Sequence, residues 1–142
     1  MILQANQKKC VGLFKVPPSR LSEPSSDYKL REPDMEFVEI LKSSIEANEF
    51  ADVAPLIVTI EVPKNTVREY KGKTTEFGKF LLENRDFYWH TIGGNHSRLA
   101  YQSLSEMDPK YDAPRLVKIF VNLTKDEAEL IGAEHNKQNL TV

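Results

Sequence analysis

The chain has 142 residues, a formal net charge of −2, and 40% hydrophobic and 28% charged side chains. That length supports one domain with a core that needs no staples, and the bulk charge lacks the basic excess of a free-standing nucleic-acid binder. The single cysteine, Cys10, excludes an intramolecular disulfide, and no run approaches the roughly 20 apolar residues of a membrane span. The opening MILQANQKKCVGLFKV lacks the order of charge, apolar run and small-residue cleavage site of a signal peptide. An intracellular protein, cytoplasmic or nuclear and without a membrane partner, is therefore expected.

The first predicted element is a strand, CVGLFKV (10–16), apolar and partly β-branched. Residues 17–33 carry four prolines and four serines and are expected as a loop, because proline removes backbone donors and biases the preceding residue away from the α region. A loop of this length inside a compact domain points to function or disorder. A helix follows over 34–50, with Asp34 as N-cap and Phe37, Ile40, Leu41 and Ile45 on its inner face. APLIVTIEV (54–62) reads as a central strand buried on both faces. Residues 63–86 form an insert, a polar hairpin-like piece and then a short helix with Phe77, Phe80 and Leu81 inward.

FYWHTI (87–92) is a strand in which Tyr88 and Trp89 point to opposite faces. It runs through Gly93-Gly94 into a helix over 95–107, whose apolar stripe is Ala100, Leu104 and Met107, flanked by Leu99. A turn at 108–114 leads to an alternating strand, 115–123. Thr124 and Glu127 then form a capping box for a helix over 126–139. The order implies one domain, residues 1–142, of the α/β (α+β) class, a small mixed sheet with flanking helices.

The chemistry concentrates in TIGGNHSRLAYQSL (91–104). A strand that ends in two glycines and enters a helix presents the first unpaired N–H groups and the positive end of the helix dipole, which together favour an anion. Asn95, His96, Ser97 and Arg98 add side chains to that first turn, and Arg98 has the fork that suits phosphate oxygens. The competing reading is a tight turn with Asn95 as a plain N-cap. The pattern is neither GxxxxGK[ST] nor GxGxxG.

FYWHTIGGNHSRLAYQ, with PLIV upstream and VKIFVNLTKDEAE downstream, resembles the fold shared by sulfiredoxins and the N-terminal domain of ParB-type partition proteins. Sulfiredoxins have Gly-Gly-Cys-His-Arg before a helix containing Ala-Tyr-Gln, and ParB-type proteins have a Gly-Glu-Arg-Arg box there. VPPSRLSEPSSDYKLRE resembles the Pro-rich, Arg-containing loop of these domains, LKSSIEANEFADVAPLIV their Leu-x-x-Ser-Ile run, and DEAELIGAEHNKQN the ParB segment ending Glu-Asn-x-Gln-Arg. The resemblance spans residues 11 to 139. It implies binding of ATP or CTP with Mg²⁺, and with that NTP hydrolysis or phosphotransfer. Carried over by position, Gly93, Gly94, Asn95, His96, Ser97 and Arg98 form the phosphate box, with Arg31 from the loop and Ser44 from the first helix beside it. Asn136 falls on the Asn of the C-terminal box and His135 on its glutamate, unless Glu134 takes that role with a one-residue shift; Glu134 and Asn136 are the candidates beside Mg²⁺. His96 is the candidate catalytic group, as a phosphate donor or general acid.

The sulfiredoxin cysteine is Asn95 in this chain, which cannot act as a sulfur nucleophile, so sulfinic-acid reduction is not expected. The next family arginine is Ser97, and Arg98 stands one place on, about 100° around the helix. ParB-type proteins continue into a helix-turn-helix and a dimerisation domain, so the resemblance also implies a domain cut from a longer protein. DNA is then a partner only through that parent. The alternatives to a nucleotide domain are a DNA-associated module of a partition or mobile-element protein, and an interaction domain that has lost the chemistry. No metal site of the protein's own is expected, because His90, His96 and His135 lack the companions of a tetrahedral set. The small basic runs KK (8–9) and REYKGK (68–73) read first as solvated surface, with phosphate contact as the alternative.

Overall fold

A computed structural model describes residues 8–28, 32–48 and 54–140, with side chains for all of these except 136–140. Four strands form one sheet: β1 (Cys10–Val16), β2 (Leu56–Ile60), β3 (Trp89–Gly93) and β4 (Arg115–Val121). Their order is β1-β4-β2-β3. β4 pairs antiparallel with β1 and parallel with β2, while β2 and β3 are antiparallel, so the sheet is mixed as expected. Five helices flank it among the described residues: α1 (Met35–Ala47), α2 (Lys64–Glu69), α3 (Thr74–Glu83), α4 (Asn95–Met107) and α5 (Lys125–Leu140).

Strand alternation divides the core between the two faces of the sheet. Val58, Ile60, Val117, Ile119 and Val121 join Phe77 and Leu81 of α3 and the buried Trp89 in the main cluster. Phe120 faces the other way, with Leu123 and Ala128 against α5. Each fully buried aliphatic side chain contributes about 1.5–3 kcal/mol, a large share of a domain stability of about 5–15 kcal/mol.

Two helical faces differ from expectation. On α1 the inward residues are Val38, Leu41 and Ile45, packed on Ala100, Tyr101 and Leu104 of α4. Phe37 and Ile40 are 43% and 64% exposed. The helix carries more apolar residues than one packing partner covers, and the position of α4 selects the stripe. Met107, the last residue of α4, is 86% exposed, and Tyr101 joins Ala100 and Leu104 in the buried stripe.

The insert also differs. Its hairpin-like part is the helix α2, which starts directly after Pro63, and Tyr70 stacks on Phe77 at 5.1 Å to fold α2 back onto α3. β4 ends two residues early because Asn122 adopts a left-handed φ of 54° and its carboxamide clamps both backbone groups of Val62 at 2.8 Å. The Pro/Ser-rich loop lies along the edge strand: Ser22 accepts from the Thr91 N–H and donates to the Trp89 carbonyl. His90 accepts the Ser25 N–H at Nδ1, between the rings of Tyr28 and Tyr88. Residues 29–31 and 49–50 of the expected loop and helix lie outside the described residues.

Candidate functional site

β3 delivers the chain to Gly94, the N-cap of α4, at φ 82° and ψ 27°. That left-handed conformation favours glycine, and a Cβ there would run into Leu56 Cδ2. The imidazole of His135 covers the turn from α5: a Cβ on Gly93 would come within 3.0 Å of its Cγ. His135 Nε2 donates to the Pro55 carbonyl at 3.1 Å. Burial lowers the pKa of this imidazole, with the Pro55 hydrogen bond acting weakly against it. α5 reaches this close because Gly132 has no side chain; a Cβ would sit 2.7 Å from the Ile92 carbonyl oxygen.

No side chain caps α4 at Gly94. The first intrahelical bond runs from Arg98 N–H to the Gly94 carbonyl at 2.9 Å, so the amides of Asn95, His96 and Ser97 have no acceptor inside the helix. α1 begins beside this end. Asp34 N–H donates to His96 Nε2 at 3.0 Å, and the Phe37 ring meets the His96 ring edge-on at 5.2 Å. The start of α1 is closed by its own residue, since Asp34 Oδ1 accepts from the Glu36 and Phe37 amides.

Arg98 requires a correction. Its side chain does not project from the turn as a free fork: the residue is 5% exposed, with Nε donating to Asn95 Oδ1 at 2.8 Å and Nη1 to Gln102 Oε1 at 2.9 Å. Burial lowers its pKa, opposed by Glu23 and Tyr88. Gln102 Nε2 in turn donates to the carbonyls of Pro18 and Leu21 at 2.9 and 3.0 Å. Arg98 therefore orients Asn95 and, through Gln102, ties the Pro/Ser-rich loop to α4. Sequence reading gave Gln102 no role of its own; its one signal was its place in the Ala-Tyr-Gln motif.

The structure brings together Gly93, Gly94, Asn95, His96 and the Ser97 amide, and adds Asp34 and His135. It leaves Ser44 apart: the residue is exposed and lies ten positions along α1 from Asp34, about 15 Å at the helical rise. Glu134 is exposed, and its neighbour His135 is the residue turned onto the glycines. Arg31 and the side chain of Asn136 lie outside the described residues. Among the described residues no three His, Cys, Asp or Glu side chains group to hold a metal ion, and no helix is long and apolar enough to cross a membrane.

No protein-family model matches the chain, and no curated protein matches it.

Proposed function

We propose that this chain binds a nucleoside triphosphate, ATP or CTP with Mg²⁺, by its phosphates at the N-terminus of α4, as a domain of the ParB/sulfiredoxin kind. The observation that carries the reading is the start of α4: a left-handed glycine N-cap with no capping side chain, followed by the Asn95, His96 and Ser97 amides. Such an end attracts an anion through its donors and its dipole. His96 stands beside it, with Nε2 facing the N-cap residue of α1, where it can exchange the Asp34 N–H for a phosphate contact. Magnesium neutralises phosphate charge when bound with the nucleotide. Asn95 presents its carboxamide oxygen to Arg98, which favours binding over turnover, so hydrolysis or phosphotransfer through His96 is the secondary part of the proposal.

The test is calorimetric titration with ATP and with CTP, each with and without Mg²⁺. Binding tighter than about 1 mM, or −4 kcal/mol, and weakened in His96→Ala, is the expected result. Heat no greater than dilution for both nucleotides overturns it.

A further inference from the structure

At the opposite end of the sheet from Gly93, the basic run KK (8–9) meets Lys64 and Arg68 of α2, which are far from it in sequence. Gly93 pairs with Ile57 near the start of β2, whereas Val121 pairs with Ile60 at its end; Ile57 and Ile60 stand three residues, about 10 Å, apart along the strand. There Lys8, Lys9, Lys64 and Arg68 surround a cleft of about 260 Å³, together with Val67, Val121 and Asn122. Lys9 pairs with Glu127 at 2.6 Å. Among the described residues Lys8, Lys64 and Arg68 make no ion pair, so four cations and one paired carboxylate leave three positive charges around the opening. This concentration stands on a chain whose net charge is −2.

The lining is of two kinds. The cations surround an apolar part formed by Val67 and Val121, and the Asn122 carboxamide is held by the Val62 backbone. Among the described residues no aromatic ring lines the cleft, and Tyr70 is stacked on Phe77 and Phe80. A polyphosphate chain has nothing to place on the two valines, and a single strand of nucleic acid lacks the stacking platform such strands use. The volume is below the roughly 300–1,000 Å³ of sites that enclose a whole small molecule, so it accepts one side chain of a longer ligand. We infer that this cleft docks an acidic peptide segment of a partner protein, with one aliphatic side chain on Val67 and Val121 and flanking carboxylates on Lys8, Lys64 and Arg68. Charge complementarity sets the encounter rate and the partner's sign, and the apolar contact fixes the register.

The site is independent of the nucleotide reading and is tested separately. The probe is a fluorescein-labelled peptide, Glu-Glu-Asp-Leu-Asp-Glu-Glu, followed by anisotropy on the full chain. The double variant Lys64→Glu/Arg68→Glu, whose positions are both exposed, is expected to weaken binding at least about tenfold with an unchanged melting temperature and an unchanged ATP titration. Replacing the peptide's Leu by Ser is expected to weaken it about fivefold. The inference is overturned if the peptide does not bind, if the double variant or the Ser peptide binds equally well, or if a short oligothymidylate binds more tightly than the peptide.

Discussion

α5 begins behind Thr124, whose hydroxyl accepts the Glu127 N–H at 3.2 Å while Glu127 Oε1 accepts the Thr124 N–H at 2.9 Å. α4 begins behind Gly94, which has no side chain to cap it. At α5 the dipole is answered inside the chain, by Glu127 and its ion pair with Lys9. Burial acts to raise the Glu127 pKa, but the Lys9 and Thr124 hydrogen bonds outweigh it and hold the carboxyl below its ordinary range. That carboxylate therefore adds stability above its unfolded pKa, and the contribution is lost as pH falls through the folded value. At α4 the N-cap residue gives no such answer, although Asn95 directly follows the cap and could have served as one. Asn95 is turned to Arg98 instead. One helix start is closed by the side chain of its N-cap residue, and the other has an N-cap residue with no side chain.

The largest effect should come from closing the backbone freedom of the open end. Gly94→Ala places a Cβ at φ 82° and against Leu56. Left-handed strain of about 1–2 kcal/mol plus displacement of Leu56, about 1–2 kcal/mol, predicts a loss of about 2–4 kcal/mol in urea denaturation. A neutral result would mean that the turn is not held as described.

Asn95→Asp separates a ligand site from a bare turn, because its two effects have opposite signs. A carboxylate in the first turn of α4 stabilises the helix by about 0.5 kcal/mol and can still accept from Arg98. Beside a triphosphate it repels, and a loss of nucleotide affinity of about tenfold to hundredfold is expected. A rise in melting temperature with unaltered affinity would sink the phosphate reading and leave the turn.

The closed end supplies the control. Thr124→Ala removes the hydroxyl that accepts the Glu127 amide and should cost about 1 kcal/mol of stability. Nucleotide titration should not register it; a matching loss of affinity would couple the two helix starts.

The smallest effect is the pH dependence of the covering imidazoles. Burial lowers the pKa of His135, and it lowers that of His90 against the opposing charges of Glu61 and Asp27. The unfolded chain therefore takes up these protons first as pH falls. Stability is full above the ordinary histidine value of about 6.5 and declines as pH drops through it toward the folded values. His135→Gln keeps a donor for Pro55 and should flatten part of that decline in melting temperature between about pH 7 and 5. An unchanged slope assigns the acid sensitivity elsewhere.

Much of the frame was legible from local chemistry. β1 and α4 have their expected bounds, Asp34 caps α1, and the Thr124–Glu127 box forms as its spacing demands. The misplaced parts have a common cause. Phe37, Ile40 and Met107 fit a helical stripe, but the packing of α1 against α4 selects the buried phase and leaves them exposed. The α2 helix was hidden because a polar stretch of 63–73 gives no apolar periodicity, and its place depends on Tyr70 stacking on α3.

The sequence by itself determined that Gly93-Gly94 ends a strand and begins a helix, since glycine backbone freedom and β-to-α patterning are local properties. Tertiary structure decided what surrounds that turn. His135, Leu56 and Asp34 reach it from three other elements, and Arg98 turns inward because Gln102 and the carbonyls of Pro18 and Leu21 make a buried acceptor chain for it. The same holds for the basic cleft: Lys8 and Arg68 meet only because β1, β4 and the insert converge. Contacts between residues so far apart follow from sheet order and burial, which no window of sequence encodes.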